Sequence, residues 1–286
     1  MATGRGAVYI RSVPEPPDTM DASALFPALL MGIVEGLTEF LPISSTGHLI
    51  LLGELLGFQG PPGKTFEISI QLGAILAVVI VFRATLAGLL RRAWVPGPER
   101  FYAQNLLLAF LPAAAIGATL HGPITRALFN PWVVSLALIL GGVAIIAIER
   151  WRRLPNIHSV PQMGPLAALL VGFGQALAMI PGTSRSGATI ITALLVGVDR
   201  RTAAEFSFVL AIPTMCAATA FSLWKARADL DLSGLGQIGV GFAAAFVVAL
   251  LVVRWVLAVI GRIGFTPFGW YRIALGTTML AWLSLR

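Results

Sequence analysis

The chain has 286 residues, of which 57% are hydrophobic and 12% charged. So little polar surface cannot solvate a soluble domain of this length, and the chain reads as one integral membrane unit. Its net charge of +7 does not point to nucleic acid, because the arginines sit between apolar segments rather than along one face; the single cysteine, Cys216, excludes an internal disulfide framework and reads as a small buried apolar residue.

In chain order, residues 1–21 carry Arg5 and Arg11 but no apolar core. They fail the signal-peptide pattern and are expected to form a disordered extension, with Met20 as an alternative start. Apolar stretches follow at 22–41, 45–56, 66–90, 104–120, 132–148, 165–180, 188–198, 204–224, 238–260 and 268–285. Long apolar runs of strong helix formers favour helices over the alternating pattern of a barrel. Stretches 45–56 and 188–198 fall short of the roughly 20 residues that cross about 30 Å, and each follows a break containing proline and glycine. They are expected to be the returning arms of two re-entrant hairpins, leaving about six spanning helices in an all-α polytopic membrane fold.

The two breaks resemble each other. GIVEGLTEFLPISSTGHLI from Gly32 aligns with GFGQALAMIPGTSRSGATI from Gly172, which pairs Glu35 with Gln175, Ser44 with Ser184 and Gly47 with Gly187, while Pro42 and Pro181 are offset by one. Interrupted helices at matching places in two halves mark a duplicated membrane fold. We expect a first repeat over 22–163 and a second over 164–286. With one hairpin and three spans in each half, the odd number of crossings inverts the second half, giving an inverted-topology repeat. This arrangement puts Arg91, Arg92, Arg100, Arg150, Arg152, Arg153, Arg200, Arg201 and Arg262 on one side, against Arg126, Lys225 and Arg227 opposite. The arginine-rich side is then the cytoplasm, the first hairpin dips from the outer face, and the second rises to meet it. Irregular backbone at that depth must line a cavity or be buried in protein, so a polar pocket is expected where the breaks meet.

Charged groups inside a bilayer are costly and mark function by default. Glu35 and Glu39 are four residues apart, on one helix face. Pro42 ends their helix, and Ser44, Ser45, Thr46, Gly47 and His48 follow. In the second break Thr183, Ser184, Arg185 and Ser186 lead into a helix whose free N–H groups and dipole favour an anion, and Arg185 adds a fork able to hold phosphate oxygens in pairs. Ser44, Thr46, Thr183 and Ser186 carry two readings, as phosphate ligands or as hydroxyls that satisfy backbone freed by the prolines. Glu35 and Glu39 likewise read either as cation ligands or as a structural salt bridge to Arg185. Glu67, Gln71, Gln175 and Glu205 sit where they would support the same pocket from behind. Arg254 and Arg272 lie within spans, where they pair internally or snorkel, while Trp132, Trp270 and Tyr271 suit an interfacial belt.

EGLTEFLPISSTGHL and PGTSRSGAT resemble the two signature motifs of the bacterial undecaprenyl-diphosphatase family, the bacitracin-resistance-type membrane phosphatases. The resemblance continues through FEISIQLGAILAVV, the Asn130–Pro131 step, EFSFVLAIP and the Tyr271–Arg272 pair. It implies an enzyme of the bacterial cytoplasmic (inner) membrane, multi-pass, with its active site opening to the outer face. Its reaction would be hydrolysis of undecaprenyl diphosphate to undecaprenyl phosphate, recycling the lipid carrier of peptidoglycan synthesis and supporting bacitracin resistance. Because phosphoryl transfer rests on positioning and charge neutralisation, we expect Glu35 and Glu39 to hold a divalent cation, Mg²⁺ or Ca²⁺, and Arg185 with Ser44, Thr46, Thr183, Ser184 and Ser186 to bind the phosphates. Ser45 is the candidate nucleophile, with His48 as its base or as the acid for the leaving group, and a metal-bound water is the alternative attacker. The expected partners are a polyprenyl diphosphate and membrane lipid, with no nucleic acid and no organic cofactor. Gly239, Gly241 and Ala243 to Ala245 offer a face on which a homodimer could pack. The rival reading is a secondary transporter or lipid flippase, since inverted repeats with broken helices also serve transport.

Overall fold

The computed structural model describes residues 22–58, 65–151, 154–226 and 234–285. The expected extension 1–21, together with Arg152, Arg153 and Arg227, lies outside the described residues, as do the side chains of Arg126 and Lys225. Eleven α-helices make up the described chain: α1 (Ala22–Thr38), α2 (Ser45–Leu56), α3 (Thr65–Val81), α4 (Arg83–Arg92), α5 (Pro98–Leu128), α6 (Pro131–Trp151), α7 (Pro165–Ala176), α8 (Arg185–Leu195), α9 (Arg200–Ala226), α10 (Leu235–Ile263) and α11 (Thr266–Ser284). Among the described residues the one strand-like contact is an isolated bridge between Ile157 and Val198.

Helix starts follow local chemistry. Asn130 accepts the Val133 N–H at 3.0 Å and Pro131 fills the first position of α6; Asp199 accepts from Arg201 and Thr202 at 2.9 and 3.1 Å to begin α9. Helices α5, α6, α9 and α10 are each long and apolar enough to cross a membrane alone. The stretch expected as a single span over 66–90 is instead two helices, α3 and α4, bent by 74°. The reason is the charge that follows Phe82: α4 reads RATLAGLLRR, buries none of its residues and turns away where Arg83 begins it. Helix α11 has 19 residues but carries Arg272, and it is not among the helices apolar enough to cross a membrane alone.

The two short arms return to the ends they started from. Helices α1 and α10 run together, with Gly32 against Gly241 and Gly36 against Ala245 and Ala249. A side chain at Gly32 would strike the Gly241 backbone, so the two helices approach as closely as membrane helices do. After the break α2 runs back, Gly53 reaching Met31 and Phe58 packing on Phe66 beside the start of α3. The second hairpin enters with α7 and leaves with α8, whose end is tied back to the α6–α7 connection by Asn156 and Ile157 N–H bonds to Gly197 O at 3.0 and 3.1 Å. That end of the molecule is also where α6, α9, α10 and α11 meet: Arg200 binds Glu149 at 2.6 Å and the Gly261 carbonyl at 3.3 Å, and Glu149 accepts from the Phe265 N–H. Arg150, Arg200, Arg201 and Arg262 therefore share one end, as the charge pattern led us to expect.

One expectation is corrected, and another is narrowed to fewer residues. Gly241 and Ala245 are buried against α1 and α3 inside the chain, while Gly239 and Ala243 of the same stretch are exposed. Cys216, expected to be buried, is exposed on the outside of α9.

Candidate active site

Both breaks are built the same way. Pro42 and Pro181 interrupt the incoming helices, and a serine with φ 71° starts each returning one: Ser44 before α2 and Ser184 before α8. Among the described residues these two are the non-glycine positions with positive φ, and they are the pair that the sequence alignment matches. Such a conformation costs a serine about 1–3 kcal/mol and is kept where the surroundings impose it, as at ligand sites. Gly182, at φ 91°, sits with its α-carbon face on the Val134 backbone, where only glycine fits.

The strained serines place the next residue of each arm, Ser45 and Arg185, at the head of a helix and on opposite sides of one carboxylate. Glu39 Oε2 accepts the Ser45 hydroxyl at 2.6 Å, and Glu39 Oε1 accepts Arg185 Nη2 at 3.1 Å. Glu39 is itself 8% exposed, so this pairing operates away from bulk water and binds one hairpin to the other. Arg185 also donates to the Ser207 carbonyl at 2.9 Å and lies over the Phe40 ring, 5.7 Å from its centroid; its Nε has no partner. Ser207 in turn bonds Thr189 at 2.6 Å, and Met215 Sδ accepts from Arg185 Nη2 at 3.6 Å, so α9 supports the arginine through two contacts.

A cavity of about 500 Å³ opens at this point. Glu39, Ser44, Ser45, Thr46, Gln71, Gln175, Ser184 and Arg185 line its polar end, and Ala113, Gly117 and Ala118 of α5 with Ala217, Ala218 and Phe221 of α9 line its apolar arm. Gln175 is fixed by the Ala109 carbonyl at 3.3 Å and by Thr214 at 3.2 Å.

Not every expected residue reaches the cavity. The Ser186 hydroxyl is committed to the Leu41 carbonyl at 2.8 Å, holding the breaks together, and Thr183 contributes its carbonyl to Arg272. Glu67 is exposed in the first turn of α3, and Glu205 lies beside Asp199 and Arg201 near the arginine-rich end; neither is brought to the pocket. His48 does not bond Ser45. Its Nδ1 meets the Ser44 carbonyl at 2.8 Å and its Nε2 the Tyr271 hydroxyl at 2.6 Å. Glu35, 2% exposed, stands one turn before Glu39, with an Oε2 that has no hydrogen-bond partner.

Arg272 neither snorkels nor pairs with an acid. Fully buried, it donates to five carbonyls: Ala137 and Leu138 of α6, Pro42 of the first break, and Gly182 and Thr183 of the second, at 2.8–3.2 Å. The backbone oxygens that the breaks leave without helical partners are thus gathered on one guanidinium. An arginine inside an expected span was the sequence signal for it.

An all-α polytopic membrane protein whose two broken helices meet at an arginine, a serine and a carboxylate belongs to the class of intramembrane proteins that handle anionic groups. The family is then shown by comparison: the model of the bacitracin resistance protein BacA family matches residues 28–278, and the chain belongs to that family. Among curated relatives, undecaprenyl-diphosphatase 2 of Paramagnetospirillum magneticum is 56% identical over 260 residues, 91% of this chain and 99% of that one. The undecaprenyl-diphosphatases of Rhizorhabdus wittichii and Sphingopyxis alaskensis are 54% and 52% identical, over 92% and 90% of this chain and 99% and 97% of their own.

Proposed function

We propose that this protein hydrolyses undecaprenyl diphosphate to undecaprenyl phosphate and inorganic phosphate. The observation that carries the reading is the double engagement of Glu39, which holds the Ser45 hydroxyl and the Arg185 guanidinium in a cavity with one polar end and one apolar arm. A lipid diphosphate has the same two parts. Its head needs the arginine and the hydroxyls, and its first isoprene units suit the alanine- and glycine-lined walls between α5 and α9.

In this reading Arg185 holds the terminal phosphate oxygens and the Ser45 oxygen attacks that phosphorus. Glu39 Oε2 takes the proton from Ser45, the bridging P–O bond breaks, and undecaprenyl phosphate leaves with the electron pair and takes that proton. Water then attacks the phosphoserine, giving a proton to the freed carboxylate, which passes it to the departing Ser45 oxygen as inorganic phosphate leaves. Among the described residues no cluster of three or more histidine, cysteine or acidic side chains forms a complete metal cage. Two glutamates with an orphaned buried oxygen on Glu35 fit a hard cation whose remaining ligands come from water and substrate, as Mg²⁺ sites do. Glu35 and Glu39 would hold it, and it would neutralise phosphate charge.

The reading includes an outward-facing site in the bacterial inner membrane. Supporting it, the apolar arm runs along the halves of α5 and α9 remote from the arginine-rich end, which the positive-inside rule assigns to the cytoplasm. The matching strained serines and hairpins support two inverted repeats over 22–163 and 164–286. The direct test is phosphate release from a polyprenyl diphosphate by detergent-purified protein. Release that falls about 10²–10³-fold in Arg185→Lys supports the site, because a point charge lacks the paired geometry; full activity in that variant removes the clamp.

A further inference from the structure

The first break lacks the internal support that the second one has. Ser184 holds its own conformation, its hydroxyl accepting the Gly187 N–H at 3.1 Å and pairing with Ser186 at 3.1 Å. Ser44 has the same φ of 71° but makes no side-chain cap bond. Its carbonyl is instead bound by His48, one turn on, where the second repeat has Ala188. A carbonyl only accepts, so Nδ1 carries the hydrogen, and Nε2 of the neutral ring accepts from the Tyr271 hydroxyl at 2.6 Å. The two rings are parallel, with centroids 5.5 Å apart. Both imidazole nitrogens are therefore occupied, while Ser45, the group a catalytic histidine would serve, gives its proton to Glu39.

Resting on the phosphatase reading, we propose that Tyr271 is a positioning residue for the Ser45 reaction, acting through His48. The tyrosine hydroxyl fixes the imidazole as the Nδ1–H tautomer, the imidazole holds the Ser44 carbonyl, and Ser44 sets where Ser45 stands against Glu39 and Arg185. Arg272, the next residue of α11, ties Pro42 to Gly182 and Thr183. Two consecutive residues of the last helix thus hold the two breaks in one register. Tyr271 is 45% exposed, and its hydroxyl is turned to the His48 ring beside the first break.

The test is a double-variant cycle on kcat, KM and thermal midpoint. Tyr271→Phe keeps the ring and removes one hydrogen bond, so kcat is expected to fall about five- to tenfold with KM and thermal midpoint unchanged. His48→Ala is expected to fall further, and Tyr271→Phe to add nothing in that background. His48→Asn keeps an N–H donor where Nδ1 stands but has no basic nitrogen; it is expected within about tenfold of the parent rate. Arg272→Lys, a structural contrast, is expected to lower the thermal midpoint together with the rate.

Multiplying effects of Tyr271→Phe and His48→Ala, or a parental kcat in Tyr271→Phe, would overturn the proposal. So would a fallen thermal midpoint in Tyr271→Phe, which marks a plain packing role, or His48→Asn as inactive as His48→Ala in folded protein, which marks proton transfer. Nitrogen NMR of histidine-labelled protein tests the same contact without turnover. The Nδ1–H tautomer is expected for His48, with its Nε2 signal shifted in Tyr271→Phe. An Nε2–H tautomer overturns the positioning chain whatever the activity, whereas a parent that releases no phosphate but shows the expected tautomer overturns the phosphatase reading alone.

Discussion

At the scale of single residues, Glu39 is the point where the two halves of the chain meet. Its two oxygens are shared between Ser45, six residues on, and Arg185, 146 residues away. A carboxylate placed between a hydroxyl and a guanidinium orients the first and is paired by the second. Replacing Ser45 by alanine removes the attacking oxygen while leaving the Glu39–Arg185 pair in place, so a phosphate-release rate lower by about 10³-fold or more is expected in folded protein. A near-parental rate would transfer the attack to water. The orphaned Glu35 oxygen leads to a second expectation: a chelator should stop turnover and added Mg²⁺ or Ca²⁺ restore it, and indifference to chelator would remove the cation. These residues were legible in the sequence because polar groups in an apolar stretch stand out. The serine's partner was not. A Ser-x-x-His spacing suggests a dyad, but the backbone at Ser44 turns the imidazole toward its own carbonyl and toward Tyr271, 223 residues distant, and no local pattern encodes that contact.

At the scale of elements, the apolar runs gave the helices well wherever the membrane itself decides their length. The arm expected over 45–56 is α2 to the residue, since proline before it and glycine after it limit the helix. Sequence failed where an interface charge bends a continuous apolar run, as at Phe82. Helices α5 and α9 show the converse, small residues left facing a cavity. Ala217 and Ala218 on α9 look across at Gly117 and Ala118 on α5, leaving an apolar arm beside the polar pocket. If that arm takes the first isoprene units, Ala218→Trp narrows it without touching Glu39, Ser45 or Arg185. Hydrolysis of a long-chain prenyl diphosphate should then fall by about tenfold, the loss expected from an overpacked apolar contact, while a short-chain diphosphate is turned over at the parental rate. Equal losses on both substrates would place the tail elsewhere.

At the scale of the molecule, orientation decides whether the site can recycle a lipid carrier from outside. The described arginines at the ends of α4, α6 and α10 and the starts of α5 and α9 share one end, and the apolar arm of the cavity lies toward the other. Positive residues in short loops are retained on the cytoplasmic side, so the cavity should face outward. The lone native thiol, Cys216, is exposed on α9 and must first be replaced by alanine. A single cysteine then reports each end: Pro96→Cys in the exposed turn between α4 and α5, and Phe129→Cys in the exposed turn between α5 and α6. These turns lie at opposite ends of α5, a helix of 31 residues that at 1.5 Å per residue is longer than the hydrocarbon layer. In intact cells a membrane-impermeant maleimide should label the cysteine at 129 and reach that at 96 only after permeabilisation. The opposite pattern would put the pocket on the cytoplasmic side, where the same chemistry would act on lipid diphosphate of the inner leaflet.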